Sequence, residues 1–313
     1  MRYPLENPLV VIVGPTAVGK TELALELAQD LEGEIISADS RLFYRGMDIG
    51  TAKPTPEQLK IVPHHLVDVV EADETWSLAL FQRKAMQVIE RIHAQGKLPM
   101  LVGGTGQYVR AITQGWQIPP QKPDERMRAA LEKWMGEIGP EEIYQKLALL
   151  DPIAAQKMDW RNTRRTARAL EVIFKTGRLF SEQRRRVQAA YPYKMIGLKR
   201  ERAELYERID ARIEQMLANG LVEEVKGLLE KGCTAENPAM SAIGYHEITL
   251  YVQGELSLEE AVMLMKRRTR QFVRRQANWF KESDARIRWF AMEADVKDTI
   301  ETYILSKEGW QHE

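Results

Sequence analysis

Apolar positions along the first hundred residues fall into two spacings, and each switch between them marks an element. Leu9 to Val13 is an unbroken apolar run, the mark of a strand covered on both faces. Beyond it Leu23, Leu27 and Leu31 share one face at helical spacing. Glu34 to Asp39 predicts a second strand that closes on the polar pair Asp39-Ser40. The stretch from Arg41 to Pro56 carries Gly46, Gly50 and Pro54 and predicts no regular element. His64 to Val70 predicts another strand, and Ser77 to Gln95 a helix that stops at Gly96. Leu98 to Val102 repeats the buried-strand pattern and runs into Gly103-Gly104-Thr105-Gly106. Strands alternating with helices predict an α/β fold on a parallel, doubly wound sheet.

The pattern changes near residue 116. Pro119, Pro120 and Pro123 mark a connection, after which Asp124 to Met135, Pro140 to Leu149 and Arg161 to Lys175 read as helices. Tyr193 to Leu198 then predicts a strand that returns to the sheet. A helical block bracketed by strands predicts an insertion. The expected division is a core of residues 1–117 and 195–313, the second part mostly helical, with an inserted helical domain at 118–194. Helices are expected over 201–231, and a capping box of Ser257 and Glu260 opens another that continues to about Lys281.

Charge alters this picture only by region. The 313 residues balance 45 basic against 45 acidic side chains. Yet residues 161–186 hold nine Arg or Lys (Arg161, Arg164, Arg165, Arg168, Lys175, Arg178 and Arg184 to Arg186) against Glu171 and Glu182. Residues 266–275 hold six (Lys266, Arg267, Arg268, Arg270, Arg274 and Arg275) and no acid. Each run alone reads as a solvated helix face; together they predict a footprint for a polyanion. The single cysteine, Cys233, excludes an internal disulfide, and no apolar run reaches the length of a membrane span. A cytoplasmic, soluble monomer is expected.

The candidate chemistry lies first in Gly14-Pro15-Thr16-Ala17-Val18-Gly19-Lys20-Thr21, between the first strand and its helix. That context makes the G-x-x-x-x-G-K-[ST] spacing a phosphate loop of the NTPase-like kind. Backbone N–H groups and the helix N-terminus cradle phosphate oxygens, Lys20 adds a point charge, and the Thr21 hydroxyl reaches Mg²⁺ on the phosphates. A di- or triphosphate ligand, a nucleotide such as ATP among them, is predicted. No Asn-Lys-x-Asp guanine reader is present, and the later strand ends in Gly103-Gly104-Thr105 rather than in the Asp of an ATPase. Asp39, at a strand end, is either a base acting on an acceptor or a turn cap. Thr105 lies either at a ligand or in a tight turn. Arg208 and Arg212 could clamp a pyrophosphate, but their spacing favours pairing with Glu204 and Glu207. His64-His65 has no third ligand at zinc spacing. A nucleoside kinase and an NTP-dependent RNA-binding switch remain open on these residues alone.

Taken together the motifs resemble the bacterial tRNA dimethylallyltransferase (isopentenyl-tRNA transferase) family. The matching stretches are the phosphate loop, Ile36 to Ser40, Tyr44 to Pro54, Pro63 to Asp68, Val102 to Gly106, Arg165 to Val172, Ile243 to Tyr245, Thr269 to Gln271 and Arg275 to Phe280. They run in order over nearly the whole chain. The resemblance implies transfer of a dimethylallyl group from dimethylallyl diphosphate to N6 of the adenine just 3′ of a tRNA anticodon, with Mg²⁺. It implies that Gly14 to Thr21 hold the diphosphate, with Pro15, Thr16, Ala17, Val18, Gly19 and Lys20 between those ends. Thr21 would reach the metal, and Arg208 would help to neutralise the leaving group. Asp39 would take the N6 proton, and Asp39, Ser40, Arg41, Leu42 and Thr105 would hold the flipped base. Arg128, Arg164, Arg165 and Arg168 would grip the anticodon stem-loop from the insertion, with Met240, Ile243, Gly244 and Tyr245 also facing RNA. Gln107 and Asn278 depart from the family's usual Leu and Thr without touching a chemical role. The lack of a zinc-finger extension points to the bacterial branch.

Overall fold

The computed structural model describes residues 3–116, 118, 124–182 and 189–311. Its first part runs β1 (Leu9–Val13), α1 (Lys20–Asp30), β2 (Gly33–Ser37), α2 (Pro56–Ile61), β3 (His64–His65), α3 (Leu78–Ala94), β4 (Leu98–Val102) and α4 (Gly106–Thr113). A helical block follows: α5 (Glu125–Ile138), α6 (Pro140–Leu150), α7 (Pro152–Ala155) and α8 (Thr163–Thr176). The chain then continues with β5 (Tyr193–Lys199), α9 (Arg202–Ala218), α10 (Leu221–Glu230), α11 (Tyr245–Val252), α12 (Leu258–Trp279), β6 (Ile287–Ala291) and α13 (Val296–Leu305).

The six strands form one parallel sheet in the order β3-β2-β4-β1-β5-β6. The apolar runs make the centre because β1 and β4 are buried along their whole length. Val11 pairs with Leu101 on one side and Met195 on the other. In a parallel sheet all carboxyl ends point one way, so β1, β2 and β4 deliver their following loops to one edge. Those loops are the phosphate loop, Asp39 to Leu42 and Gly103 to Gly106.

Several boundaries differ from the expectation for local reasons. The strand expected over 64–70 stops after His65, because Leu66 (φ 60°) and Asp68 (φ 53°) take left-handed backbone angles. Where the stretch expected to be irregular ends, Thr55 and Gln58 form a reciprocal capping box and start α2. The last strand, β6, went unpredicted; it is five residues long at the sheet edge and buries only Ile287 and Phe290, without the strict alternation that marks a strand in sequence.

Contacts divide the chain into a unit of residues 1–113 with 189–313 and a second unit of 114–188. The second unit has its own core of Leu131, Ile143, Leu147, Ala169 and Leu170. Glu171 is fully buried there. It accepts from the Asp124 N–H at 2.8 Å and pairs with Arg168 at 2.9 Å and Arg128 at 3.3 Å. Pro119, Pro120, Pro123 and Arg184 to Arg186 lie outside the described residues. Among the described residues no helix is long and apolar enough to cross a membrane.

Candidate active site

The phosphate loop is shaped by cations that hold its carbonyls. Lys20 Nζ donates to the carbonyls of Pro15 at 2.7 Å and Gly14 at 3.1 Å. Arg208 Nε donates to Ala17 O at 2.8 Å, and Arg200 Nε to Val18 O at 2.9 Å. The backbone turns through left-handed angles at Ala17 (φ 63°) and Gly19 (φ 110°). The expected pairing of Arg208 with Glu204 is not formed, since Glu204 pairs with Arg200. Burial pulls the Lys20 ammonium down to about 8; the Asp39 carboxylate opposes this and Arg212 adds to it. Burial likewise lowers the Arg212 guanidinium, against the opposing fields of Asp39 and Glu22. Positive charge is therefore held where it is partly desolvated, and an anion gains more from it than in open water.

Beside this loop opens a cavity of about 440 Å³. Thr16, Ala17, Asp39 and Arg212 line it, together with Ser40, Arg41, Thr105 and Ile243. Its apolar wall comes from α9 (Ile209, Ile213, Met216) and α12 (Met265, Phe272). Asp39 Oδ1 accepts from the Arg41 N–H at 3.0 Å, an Asx turn. Thr105 Oγ1 accepts from the Ser40 N–H at 3.3 Å, which joins the ends of β2 and β4. Arg41 Nη1 donates to Pro238 O at 3.2 Å and Ser241 Oγ at 3.4 Å, which brings the 238–245 stretch to the same mouth. Leu42 lines a second, small cavity of about 60 Å³ with Lys20, Thr21 and Asp39.

Not every expected residue offers a surface. Met240 and Tyr245 are fully buried, so their side chains cannot face RNA, and Gly244 between them is buried too. Their place is the scaffold. Tyr245 donates its hydroxyl to Glu224 at 2.5 Å and accepts from the Gly50 N–H at 3.2 Å. The same Glu224 carboxylate accepts from the N–H groups of Asp48 and Ile49, each at 2.9 Å. Lys53 donates to Tyr44 O and Asp48, both at 2.6 Å, and also to Asp68. The Met47 to Pro54 stretch is thus a loop fastened from three sides, whose Gly50 and Thr51 form part of the cavity rim. Glu224 and Arg200 carry no sequence expectation, and Gln276 stands there only within the Arg275 to Phe280 stretch without a role, because Asp48, Val18 and Thr16 are distant in the chain.

Gln276 is buried in the last turn of α12. Its Oε1 accepts from the Thr16 N–H at 2.9 Å and its Nε2 donates to Gly104 O at 3.3 Å. The neighbouring glycines are explained by close approach. A Cβ on Gly103 would overlap the Ala38 backbone, one on Gly104 the Gln276 amide, and one on Gly106 the Trp279 ring.

The two basic runs are partly neutralised. In the second, Lys266 pairs with Glu214 (3.0 Å), Arg268 with the buried Glu247 (2.7 Å) and Arg270 with Asp210 (2.7 Å). In the first, Arg168 serves Glu171, as does Arg128 from outside the run, whereas Arg164 is exposed on α8 and Arg165 is partly so.

The oxygen groups beside the loop suit Mg²⁺. Thr21 is exposed in the first turn of α1, and Ser37 and Asp39 line the small cavity next to it. These are hard oxygen ligands. Among the described residues no group of three His, Cys, Asp or Glu side chains could hold a metal alone. A Mg²⁺ here would therefore complete its shell with phosphate oxygens and water.

Comparison with known proteins agrees over most of the chain. A family model described as IPP transferase matches residues 42–283, and one described as isopentenyl transferase matches residues 7–70. A tRNA dimethylallyltransferase of Roseiflexus castenholzii is 53% identical over 274 residues, 88% of this chain and 90% of that one. The one of Thermomicrobium roseum is 47% identical over 284 residues, 91% of this chain and 86% of that one. Among solved structures, a tRNA isopentenylpyrophosphate transferase of Bacillus halodurans is 42% identical with a TM-score of 0.71, covering 96% of each chain. A eukaryotic dimethylallyltransferase acting on tRNA has a TM-score of 0.81 at 29% identity, over 94% of this chain and 77% of that one.

Proposed function

The chain belongs to the tRNA dimethylallyltransferase family, and from that premise we propose how its cavity works as a prenyltransferase on tRNA. The donor is dimethylallyl diphosphate and the acceptor is N6 of the adenine just 3′ of the anticodon. One observation carries this reading: the cation-held phosphate loop and the Asp39 carboxylate open on the same cavity, whose lining also includes Arg212.

The residue types suit the chemistry. N6 attacks the allylic C1, the C1–O bond breaks, and pyrophosphate leaves with the bonding pair. Positive charge grows on the allyl fragment and on N6, while negative charge grows on the leaving oxygens. Lys20, Arg208, Arg212 and the loop N–H groups meet that developing anion. Mg²⁺, bound through Thr21 and the diphosphate, would add further positive charge there. Asp39 accepts the N6 proton. A base stacked inside the anticodon loop cannot reach this cavity, so it flips out, at roughly a few kcal/mol. Ser40, Arg41 and Thr105 stand where the flipped base would enter. Arg164 and Arg165, on the helical unit, would hold stem-loop phosphates. A tRNA substrate puts this work in the cytoplasm, and one chain supplies every group named.

The test is incubation of the protein with dimethylallyl diphosphate, Mg²⁺ and unmodified tRNA, without ATP. Nucleoside digestion should yield a prenylated adenosine, with one pyrophosphate released per transfer. Unaltered adenosine, or consumption of ATP without prenyl transfer, would overturn the reading in favour of a kinase or a switch.

A further inference from the structure

The donor loop and the turn that faces the acceptor base leave different strands. Their sheet ladder ends at Ile12 and Val102, with the Gly103 N–H donating to Ile12 O at 3.1 Å. Past that point β1 becomes the phosphate loop and β4 becomes Gly103 to Gly106. The β4 turn is fastened to the base side, since the Thr105 N–H donates to Ala38 O at 3.2 Å and Thr105 Oγ1 accepts from Ser40 at 3.3 Å. Gln276 closes the remaining gap. One end of its amide takes a donor-loop N–H and the other gives to Gly104 O. Because one partner can only donate and the other only accept, the amide's orientation is set. The residue is 4% exposed, so water has little access to the amide.

We propose that Gln276 is a positioning residue for the transfer, setting the distance between the diphosphate loop and the turn that holds the acceptor base. The inference rests on the reaction proposed above. Contact runs from Thr16 through Gln276, Gly104, Thr105 and Ser40 to Asp39, so one amide registers the donor half of the site against the acceptor half. Each substrate binds to its own half, whereas reaction needs the two centres in line at roughly 3–3.5 Å. Loss of the tie therefore appears in the rate of transfer and hardly in either affinity. The glycine at 104 follows from the same tie, because a Cβ there would displace the amide.

Gln276→Met keeps the length of the side chain and removes both hydrogen bonds. With both substrates saturating, its single-turnover rate should fall about 100-fold, the size expected of a misplacement near 1 Å. Equilibrium affinities for tRNA and for dimethylallyl diphosphate should stay within about threefold, and hydrogen exchange at the Thr16 amide should quicken. Gly104→Ala disturbs the tie from the other side and should be similarly slow. The double variant should be no slower than either single one, because both remove one interaction. A folded Gln276→Met with a rate within about threefold of wild type, or losses that multiply in the double variant, would overturn the proposal. If Gln276→Met does not fold, Gly104→Ala decides alone, and wild-type speed there overturns it. Wild-type protein that transfers no dimethylallyl group would instead refute the reaction itself.

Discussion

The backbone N–H of Arg41 donates to Oδ1 of Asp39 at 3.0 Å, so the carboxylate proposed as the base also closes its own turn. Asp39→Asn separates the two duties. The amide oxygen still accepts from Arg41, and Asn serves such turns nearly as well as Asp. Basicity is lost. Single-turnover transfer at saturating substrates should therefore fall on the order of 10²- to 10⁴-fold, with a melting curve close to wild type. A rate within about threefold would show that the proton goes elsewhere.

Thr21 and Lys20 should differ in how they fail. Thr21 is exposed and has no structural bond to lose, so Thr21→Ala should leave the melt unchanged while raising the Mg²⁺ concentration needed for half-maximal transfer. Lys20→Ala removes two bonds to loop carbonyls as well as a charge. It should weaken binding of dimethylallyl diphosphate, measured by calorimetry, and slow transfer too. Unchanged donor affinity in Lys20→Ala would remove that residue from the site.

The Lys20 ammonium, lowered to about 8 from 10.5, makes donor binding pH-dependent in a definite direction. A folded-state value below the ordinary one means that the folded loop sheds its proton first. The diphosphate needs that proton in place. Affinity should be full below pH 8 and fall above it, approaching about tenfold per pH unit. Lys20→Met should bind weakly at every pH and show no break near 8. A wild-type affinity flat from pH 7 to about 9.5 would contradict the assignment.

Salt should separate arginines that touch RNA from those that hold the protein together. Arg164, Arg165, Arg267, Arg274 and Arg275 are the candidates for phosphate contact. Replacing one should ease the log–log salt slope of tRNA binding by roughly 0.7 to 0.9. Replacing Arg268 or Arg270 instead removes the arginine paired with Glu247 or Asp210 and should show in the melt. A tRNA affinity indifferent to salt would return both basic runs to solvated surface.

Acid should loosen the helical unit through Glu171. Burial pushes this carboxyl up, yet the Asp124 N–H, Arg168 and Arg128 together outweigh it and hold the group below its usual range. A depressed folded value gives stability that is complete above the unfolded pKa of 4.5 and drains as pH falls through the folded one. Glu171→Gln should cost on the order of 2–4 kcal/mol at neutral pH and flatten the acid limb of the stability curve. An acid limb identical to wild type would place the titrating group elsewhere.

What was legible in the sequence was local. The phosphate loop, the strand ends and Asp39 announce themselves because burial runs and turn chemistry act over a few residues. Arg208 shows the limit. Its spacing to Glu204 suggested a helix-surface pair, but its Nε bonds a carbonyl 191 residues away. Gln276 and Glu224 are equally silent in the chain, since only the folded sheet brings them to Thr16 and to Asp48. Tyr245 illustrates the converse error. The family resemblance places this motif on the RNA face, although an aromatic side chain with a buried hydroxyl partner belongs in a scaffold.

The carbonyls of Ala17 and Val18 are held by Arg208 of α9 and by Arg200 at the end of β5, not by the cargo of the loop. Molecular switches that share this kind of loop rely on a segment that reorders when a phosphate departs. Here the loop backbone is itself tied to α9 and β5, so in the reaction proposed above a departing pyrophosphate would leave both of those bonds in place. On that reading the loop is a jig rather than a messenger, and the cycle is recorded in the altered tRNA.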